Sequence, residues 1–462
     1  MNAPVAGLPV AVIGAGPVGM AAAAQLASRG LDFVVLEAGE SVAASVQQWA
    51  HVRLFSPWRF NTDPSARALL EATGWAAPDA ERLPTGGDLI TAYLAPLAAH
   101  SAIAPHLRFG AAVTDVVRRG FDKVRTAGRD TVPFLLRLAD GSELLASAVI
   151  DSSGTWTTPN PLGGSGITAH GETEARAAGR LFDGMPDVMD RQRTAFAGKT
   201  VAVVGAGHSA TGTLLALAEL ATAEPGTSIH WLLRAPNATR AFGGGGADAL
   251  PARGAIGSRV RALVDAGTVT IHTGFFVAEV TDQVVVSADG RKVDAGMIVN
   301  ATGARPDYAP TSELRLDLDP ILGSPRALAP LIDPNQHSCG TVSPHGVDEL
   351  AHPETGFYVV GAKSYGRAPT FLLATGYEQV RSVVAALAGD WTAARDVQLE
   401  LPETGVCSSS NILDEDETDG RSCCGTAPAQ VEISRGLSTG ISGGLLSLPL
   451  VEVGAKADGT CC

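Results

Sequence analysis

The residues of this chain that are best suited to chemistry lie in two glycine-rich turns. One spans Gly14–Gly19 with the letters GAGPVG, and the other spans Gly205–Ala210 with the letters GAGHSA. In a strand–turn–helix unit the first glycine permits a tight turn and the second lets a pyrophosphate approach the backbone. The third position, glycine or alanine, lets helix and strand pack closely. Free N–H groups at the helix start attract phosphate oxygens, so both turns are predicted to bind dinucleotides.

Apolar and alanine-rich segments flank each turn in the order that such a site needs. A strand, Val10–Ile13, precedes the first turn, and a helix from Met20 to Ser28 follows it. The second turn follows Val203 and Val204 and precedes a helix from Thr213 to Leu220. This near-repeat predicts two nucleotide-binding domains.

The residue that ends the second strand of each unit distinguishes the two ligands. Phe33–Leu36 ends on Glu37, 18 residues beyond Gly19, where a carboxylate binds a ribose diol. Ser228–Leu233 ends on Arg234, whose guanidinium suits the 2′-phosphate of NADPH. The two ends predict FAD at the first turn and NADPH at the second. A surface glutamate and a solvated arginine are the simpler alternatives.

Further turns of small residues end other strands. Segments 148–155 and 296–303 each combine an apolar strand with such a turn, typical of a chain that crosses between two dinucleotide domains. An ordinary hairpin turn is the alternative.

Another strand, 356–361, reaches a glycine, and a helix beginning near Ala374 follows it. The start of that helix is predicted to face the pyrimidine end of a flavin and to stabilise negative charge on it.

Together these features resemble the flavin-binding monooxygenase-like group of two-dinucleotide-domain flavoproteins, over roughly residues 8–390. The second turn with Arg234 is similar to the NADPH site of that group, and 151–156 and 300–303 look like its linker motifs. Two features depart from the pattern. No F-x-G-x-x-x-H stretch precedes the second turn, and 361–363 read Gly-Ala-Lys where disulfide reductases of the broader superfamily carry Gly-Asp. The resemblance implies a monooxygenase that uses FAD and NADPH.

A narrower similarity concerns segments 363–371 and 374–381 together with the cysteine-bearing tail. These look like flavoproteins encoded with arsenic-resistance genes. The monooxygenase resemblance implies that the substrate is a soft nucleophile such as sulfur, nitrogen or trivalent arsenic.

The alternation of strands and helices predicts an α/β fold with two Rossmann-like domains. The FAD domain is expected at 1–165 and 300–395, the inserted NADPH domain at 166–299, and a flexible tail at 396–462. The residues expected to bind the cofactors lie in the turns and strand ends and in a segment after the first β-α-β unit: Gly14, Gly16, Pro17, Gly19, Glu37, Ala38, Trp49, Arg53, Gly154, Gly205, Gly207, His208, Ser209, Ala210, Arg234, Thr302, Gly303, Gly361, Ala374 and Thr375. Trp49, Arg53 and Asn61 are the catalytic candidates, although the flavin itself carries the chemistry and a core position is the alternative for the tryptophan.

The composition excludes several classes of partner. The net charge of −14 argues against nucleic acids and anionic membrane surfaces. No apolar stretch is long enough for a membrane span, and no basic residue precedes an apolar run at the N-terminus. A cytoplasmic protein is therefore expected. The family resemblance implies a small-molecule substrate and O2 as its partners; the oligomeric state is not predicted.

Five of the six cysteines follow residue 400, which is not the distribution of a secreted disulfide framework. Thiolates suit soft ions, so a metalloid site in the tail is one interpretation and a flexible tail with incidental thiols is the other. The cysteines concerned are Cys407, Cys423, Cys424, Cys461 and Cys462. His337, His345, His352 and Cys339 lack ligand-type spacing and are interpreted as separate loop residues.

Three functions remain open at this level. The favoured one is a flavin monooxygenase that oxygenates a soft heteroatom. The alternatives are an NADPH-dependent reductase of a disulfide, quinone or metalloid with the tail thiols as relay, and a non-enzymatic metalloid or redox sensor. No Cys-x-x-Cys pair exists in the chain before the tail, which weakens the disulfide alternative.

Overall fold

The computed structural model describes residues 7–243, 251–335, 345–369 and 371–399. The strands are β1 (Val10–Ile13), β2 (Phe33–Leu36), β3 (Leu107–Arg108), β4 (Val113–Arg118), β5 (Phe134–Leu138), β6 (Glu143–Ala146), β7 (Ala148–Asp151), β8 (Leu181–Asp183), β9 (Thr200–Val204), β10 (Ser228–Leu232), β11 (Val269–His272), β12 (Val277–Val280), β13 (Val284–Ser287), β14 (Lys292–Asp294), β15 (Met297–Asn300) and β16 (Phe357–Val359). The α-helices are α1 (Pro17–Ser28), α2 (Ala44–Gln47), α3 (Pro64–Glu71), α4 (Gly86–Leu89), α5 (Ala95–Ala99), α6 (Glu172–Ala177), α7 (Arg193–Phe196), α8 (His208–Ala223), α9 (Pro251–Asp265), α10 (Ala329–Ile332), α11 (Leu373–Leu387) and α12 (Trp391–Arg395).

Two parallel sheets form the frame of the described residues. The first has the strand order β16-β7-β1-β2-β3, and the second has the order β11-β10-β9-β15-β8. Two antiparallel sheets of three strands each, β4–β6 and β12–β14, accompany them. The predicted α/β class with two Rossmann-like units is thereby confirmed.

Both faces of the central strands β1 and β9 are covered, which explains why these strands are almost continuously apolar. In β1, Val10 and Val12 pack into the core on the α1 side, whereas Ala11 packs into the core shared with β4–β6. In β9, Val203 faces the core of α8, and Ala202 faces β12–β14. The alternation places every residue of β1, and every residue of β9 after Thr200, in or against one core or another.

Helix α1 lies almost wholly inside the protein. Residues Met20–Ala24 are fully buried, because the helix packs on the first sheet on one side and shares a core with α11 on another. Small alanine side chains permit this close approach. The helix begins three residues before the predicted Met20, with Pro17 at its first position, where proline is favoured. Helix α8 likewise begins before the predicted Thr213, at His208.

A buried ionic cluster ties the first antiparallel sheet to the segment that leads into β16. The Glu354 carboxylate accepts hydrogen bonds from Arg118 Nε at 2.7 Å and from Arg129 Nη2 at 2.8 Å. The carboxylate side chain has no exposed surface, and both arginine side chains are 3% exposed. Burial alone would raise the pKa of Glu354, but the hydrogen bonds from the two arginines outweigh it and lower that pKa.

Candidate functional site

The first glycine turn forms an open cradle at the start of α1. Gly14 has φ +94°, and a Cβ there would lie 3.0 Å from the Ser152 carbonyl oxygen, so only glycine fits. A Cβ on Gly19 would lie 1.9 Å from the Gly14 oxygen. In contrast, a Cβ on Gly16 would meet no protein atom within 4 Å. The turn is therefore packed tightly on its protein side and open where a pyrophosphate would lie.

Helix α1 leaves its first N–H groups available to this opening. Its N-cap is Gly16, and no side chain caps it. Uncapped N–H groups and the positive end of the helix dipole bind phosphate oxygens.

Glu37 stands beside the cradle at the end of β2. Its carboxylate accepts the N–H groups of Ala15 at 2.7 Å and Gly39 at 2.8 Å, and the residue is 9% exposed. A carboxylate has about four acceptor positions, so capacity remains for the two hydroxyls of a ribose. The neighbouring Ala38 is exposed at the same strand end. The open cradle and the oriented carboxylate fit an FAD adenosine half.

The second turn repeats this construction. Gly205 has φ +132°, and a Cβ there would lie 2.2 Å from the Ala301 oxygen, whereas a Cβ on Gly207 would meet nothing within 4 Å. Gly207 is the N-cap of α8 and also has no side-chain cap. Ala210 is fully buried at the third position. The open cradle again fits a pyrophosphate, with His208 and Ser209 in the first turn of the helix.

Arg234 lies just beyond β10, which ends at Leu232 and not at the predicted Leu233. The arginine is exposed, and its Nη1 donates to the Gly164 oxygen at 3.4 Å. On the same strand, Trp231 Nε1 donates to the Gly205 oxygen at 2.7 Å. This bond fixes the glycine turn to the strand that carries the arginine, so both are held at one edge of the sheet.

The turns after β7 and β15 are not hairpins. β7 runs parallel to β1, with Asp151 opposite Ile13, and β15 runs parallel to β9, with Asn300 opposite Val204. Gly154 has φ +73° and Gly303 has φ +90°. Each turn therefore continues away from its sheet beside a glycine cradle.

The two chain segments that leave these turns run side by side. Asn160 N donates to the Gly303 oxygen at 2.9 Å, and Asn160 Nδ2 donates to the Thr302 oxygen at 3.0 Å. Arg305 N donates to the Thr158 oxygen at 3.0 Å. These bonds join the segment entering the second sheet to the segment leaving it.

The turn after β16 is fastened to α11. Gly361 has φ +70°, and its N–H donates to Gln379 Oε1 at 2.7 Å. Ala374 and Thr375 lie in the first turn of α11, which has no side-chain cap. The bond places Gln379, in the second turn of α11, beside the turn that follows β16, and the predicted contact of the helix start with a flavin stays a prediction.

The catalytic candidates occupy different environments. Trp49 is half-buried and packs on Gly86, while Arg53 is exposed and donates to the Leu83 oxygen at 2.7 Å. Asn61 is fully buried, and its amide nitrogen donates to the carbonyl oxygens of Ser56 at 2.6 Å and Pro57 at 2.9 Å. The two bonds of Asn61 fix the conformation of the loop at 56–61. The catalytic roles of Trp49, Arg53 and Asn61 stay predictions.

The segment that carries these candidates also contacts the part of the protein that contains the second glycine turn. The Phe55 ring lies 4.9 Å from the ring of His208, at the start of α8. Gln48 accepts the indole N–H of Trp156 at 2.7 Å and, through its carbonyl, a bond from Arg191 at 2.9 Å. Gln48 was not singled out by the sequence, because no motif marks it.

A buried carboxyl group lies below the same segment. Asp63 caps α3 by accepting the Ala66 N–H at 2.9 Å, and Gln25 Nε2 donates to its other oxygen at 3.1 Å. Burial raises the pKa of Asp63 to about 6, from an ordinary value of 3.8.

Asp63→Asn is expected to stabilise the protein above pH 6. A raised pKa in the folded state means that the contribution of Asp63 to stability is full below about pH 4 and is lost as the pH rises to about 6. Asparagine caps helices as well as aspartate does and carries no charge to desolvate. The gain in the free energy of unfolding should reach about 3 kcal/mol at pH 7.5, from roughly two pKa units at 1.36 kcal/mol each.

Urea unfolding of wild type and variant at pH 4.5 and pH 7.5 measures this gain. Asp79→Asn, in an exposed loop, makes the same chemical change and is the control for the substitution itself. An equal gain for Asp63→Asn at both pH values would contradict the raised pKa.

Among the described residues, no three His, Cys, Asp or Glu side chains are grouped so that they could hold a metal ion. His345 contacts Gln379, and His352 accepts the Asp317 N–H, so the two have separate partners. Outside the described residues lie the remaining positions of the predicted histidine and thiol sets: His337, Cys339, Cys407, Cys423, Cys424, Cys461 and Cys462. In the same described ranges, no helix has the length and apolar character needed to cross a bilayer.

Three comparisons bear on the family. A curated relative, the indole-3-pyruvate monooxygenase YUCCA1 of Oryza sativa subsp. japonica, is 33% identical over 205 residues, which are 43% of this chain and 42% of the relative. The chain thus matches less than half the length of that protein. Two solved structures share the fold. The bacillithiol disulfide reductase Bdr of Bacillus cereus has a TM-score of 0.60 at 18% identity, covering 83% of this chain and 99% of that one.

The second structure is DfoA, the desferrioxamine-pathway cadaverine monooxygenase of Erwinia amylovora, bound to FAD. It has a TM-score of 0.57 at 13% identity, covering 88% of this chain and 99% of that one. At these identities the likeness concerns the fold alone. Residues 11–321, well over half of the chain, match the family model described as pyridine nucleotide-disulphide oxidoreductase. The prediction of a flavin-dependent enzyme is confirmed at this level: the chain belongs to the pyridine nucleotide-disulphide oxidoreductase family, with FAD and a pyridine nucleotide as its cofactors.

Proposed function

We propose that the protein takes hydride from NADPH through FAD and uses O2 to oxygenate a soft heteroatom of a small molecule. The heteroatom is sulfur, nitrogen or trivalent arsenic, and we assign the protein to the cytoplasm. The observation that carries the proposal is the pair of open glycine cradles, one beside Glu37 and the other beside Arg234.

The proposed domain division follows the sheets. Residues 1–165 and 300–395 would hold FAD, since they contain every strand of the first sheet. Residues 166–299 would hold NADPH, since they contain β8 to β14 and most of β15. Residues 396–462 form the cysteine-bearing tail in this proposal.

The two strand-end residues would select between the dinucleotides. Glu37 accepts hydrogen bonds and would orient the two hydroxyls of the FAD ribose. Arg234 donates up to five N–H groups and would pair with the 2′-phosphate, which NADH lacks. Arg234 is exposed, and its bond to the Gly164 oxygen is long, at 3.4 Å, so little is lost when that bond is exchanged for one to a phosphate.

When bound, FAD would accept hydride from the nicotinamide and pass the two electrons on to O2, so that one oxygen atom enters the substrate and the other leaves as water. The contact between Phe55 and His208 places the segment after α2 against the start of α8, the helix that would bind NADPH. Oxygenation is preferred to disulfide reduction for two reasons. The first 400 residues contain one cysteine, Cys339, and the relative at 33% identity is a monooxygenase.

The test mixes FAD-loaded, full-length protein with NADPH in the absence of O2, and then admits O2 with one substrate at a time. The substrates are a thioether, an amine and a trivalent arsenical. Rapid bleaching of the flavin, followed by product that contains isotopic oxygen from O2 in an amount equal to the NADPH consumed, is the expected result.

Other outcomes separate the alternatives. Reduced flavin that persists in air until a disulfide or quinone is added would establish a reductase instead. A full-length variant with the five tail cysteines replaced by serine tests the relay, because unchanged turnover would exclude an obligatory thiol step. Absence of flavin reduction by NADPH would refute the proposal altogether.

Arg234→Ala is expected to lower kcat/KM for NADPH by about 10- to 100-fold while leaving kcat/KM for NADH within about twofold. Hydrogen bonds to a charged phosphate are worth about 1.5–3 kcal/mol, and each 1.4 kcal/mol is tenfold. Steady-state kinetics with both cofactors measure the change. Arg193→Ala, at an arginine paired with Glu224, is the control and should affect neither cofactor. An equal loss of kcat/KM with both cofactors would show that Arg234 does not recognise the 2′-phosphate.

A further inference from the structure

A buried ion pair joins two turns at the carboxyl edge of the first sheet. Lys363 Nζ lies 2.7 Å from Asp151 Oδ2 and 3.1 Å from Ser153 Oγ. The side chains of Lys363 and Asp151 are 5% and 2% exposed. The second carboxylate oxygen accepts the Ser153 hydroxyl at 2.6 Å, so both charges are well partnered. Lys363 belongs to the Gly-Ala-Lys sequence that departs from the pattern of the superfamily.

The pair adjoins the first glycine cradle. Asp151 ends β7 opposite Ile13 of β1 and Val359 of β16. A Cβ on Gly14 would lie 3.1 Å from the Ser153 Cα, and Ser153 itself is exposed at that edge. The ion pair therefore lies directly beneath the turn that borders the cradle.

The strand order then divides the site into two sides. In the order β16-β7-β1-β2, the cradle follows β1, Glu37 ends β2 on one side, and the ion pair joins the ends of β7 and β16 on the other. A dinucleotide has two halves joined by its pyrophosphate. With the adenosine ribose at Glu37, the flavin half must extend over β7 and β16.

We propose that Asp151 and Lys363 are positioning residues for the flavin half of FAD: the ion pair clamps the turn after β7 to the turn after β16, and these two turns support that half. The inference rests on the proposed function, because it takes the first cradle as the FAD site. It predicts that the pair matters to FAD but not to a ligand that ends at the pyrophosphate.

The double variant Asp151→Asn/Lys363→Met separates positioning from folding. Removing one partner would leave the other charge buried and unpaired. Replacing both by neutral side chains of similar size is often neutral for stability. The apoprotein of the double variant should therefore unfold at the same urea concentration as wild type.

Calorimetry of apoprotein with FAD and with ADP is the decisive measurement. The dissociation constant for FAD should rise at least about tenfold, while that for ADP stays within about twofold. At saturating FAD, the visible circular dichroism of the bound flavin should also change, which a purely structural role would not cause. The control is Arg137→Met/Glu143→Gln, which removes an exposed ion pair and should alter none of these quantities.

Three results would overturn the inference: unchanged FAD affinity, equal weakening of FAD and ADP, and an apoprotein of the double variant that does not fold. Failure of the double variant to fold would show that the ion pair is required for folding and not specifically for FAD binding. Wild-type protein that binds neither FAD nor ADP would instead refute the proposed function, so the two failures can be told apart.

Discussion

Gly16→Ala is expected to leave the protein folded and to weaken FAD binding about 100-fold or more. Gly16 has φ −74° and ψ −178°, which alanine adopts freely, and its Cβ would meet no protein atom within 4 Å. The added methyl group would stand only in the space left for the pyrophosphate. Losing two charge-assisted hydrogen bonds to phosphate costs about 3 kcal/mol or more, which corresponds to this factor. Calorimetric titration of apoprotein with FAD, with urea unfolding alongside, measures both effects.

Two other glycines provide the controls. Gly207→Ala places the same methyl group in the second cradle, so it should weaken NADPH binding and leave FAD content unchanged. Gly19→Ala should reduce both stability and FAD binding, because its Cβ would lie 1.9 Å from a backbone oxygen. If Gly16→Ala bound FAD as wild type does, the first cradle would not be the pyrophosphate site.

Glu354→Gln is expected to lower the free energy of unfolding by about 3–5 kcal/mol. The side chain of Glu354 has no exposed surface and compensates two arginines that are themselves buried, so its neutralisation leaves two guanidinium groups without a counter-charge. Urea unfolding of the apoprotein at pH 7 measures the loss. Because the pKa of Glu354 is lowered by folding, its stabilisation is present above the ordinary glutamate pKa, about 4.3, and disappears as the pH falls.

The difference between wild type and Glu354→Gln should accordingly shrink below pH 4. Glu143→Gln removes the carboxylate of an exposed pair with Arg137 and should cost less than about 1 kcal/mol. A loss for Glu354→Gln no larger than that of Glu143→Gln would mean that the cluster is solvated in solution.

Local backbone chemistry made part of this molecule predictable. The glycines of both turns must serve tight turns and close packing, and these demands act within a few residues, so the sequence shows them directly. The strands Val10–Ile13 and Phe33–Leu36 have the predicted bounds, since buried parallel strands are continuous apolar runs. Helix starts were missed by a few residues, because the predicted helices followed the alanine- and leucine-rich runs, whereas α1 and α8 begin inside the glycine turns, at Pro17 and His208.

Contacts between residues distant in sequence were not predictable. Asp151 and Lys363 belong to motifs that the sequence did reveal, but no local rule brings an aspartate and a lysine 212 residues apart to one buried point. Glu354 and Arg118 meet only because the antiparallel sheet β4–β6 packs beside β16. Such pairs depend on how the sheets pack against each other, and short stretches of sequence do not reveal that packing.

The adjacent segments around Asn160 and Gly303 have a consequence for how this architecture can change. The chain enters and leaves the portion that bears the second sheet through two adjacent segments, which are hydrogen-bonded to each other. A portion attached in this way can be replaced by another whose ends are equally close, without moving the strands of the first sheet. If this portion binds the electron donor, as in the proposed function, the donor specificity could be exchanged together with it, while the portion that would hold FAD stays intact.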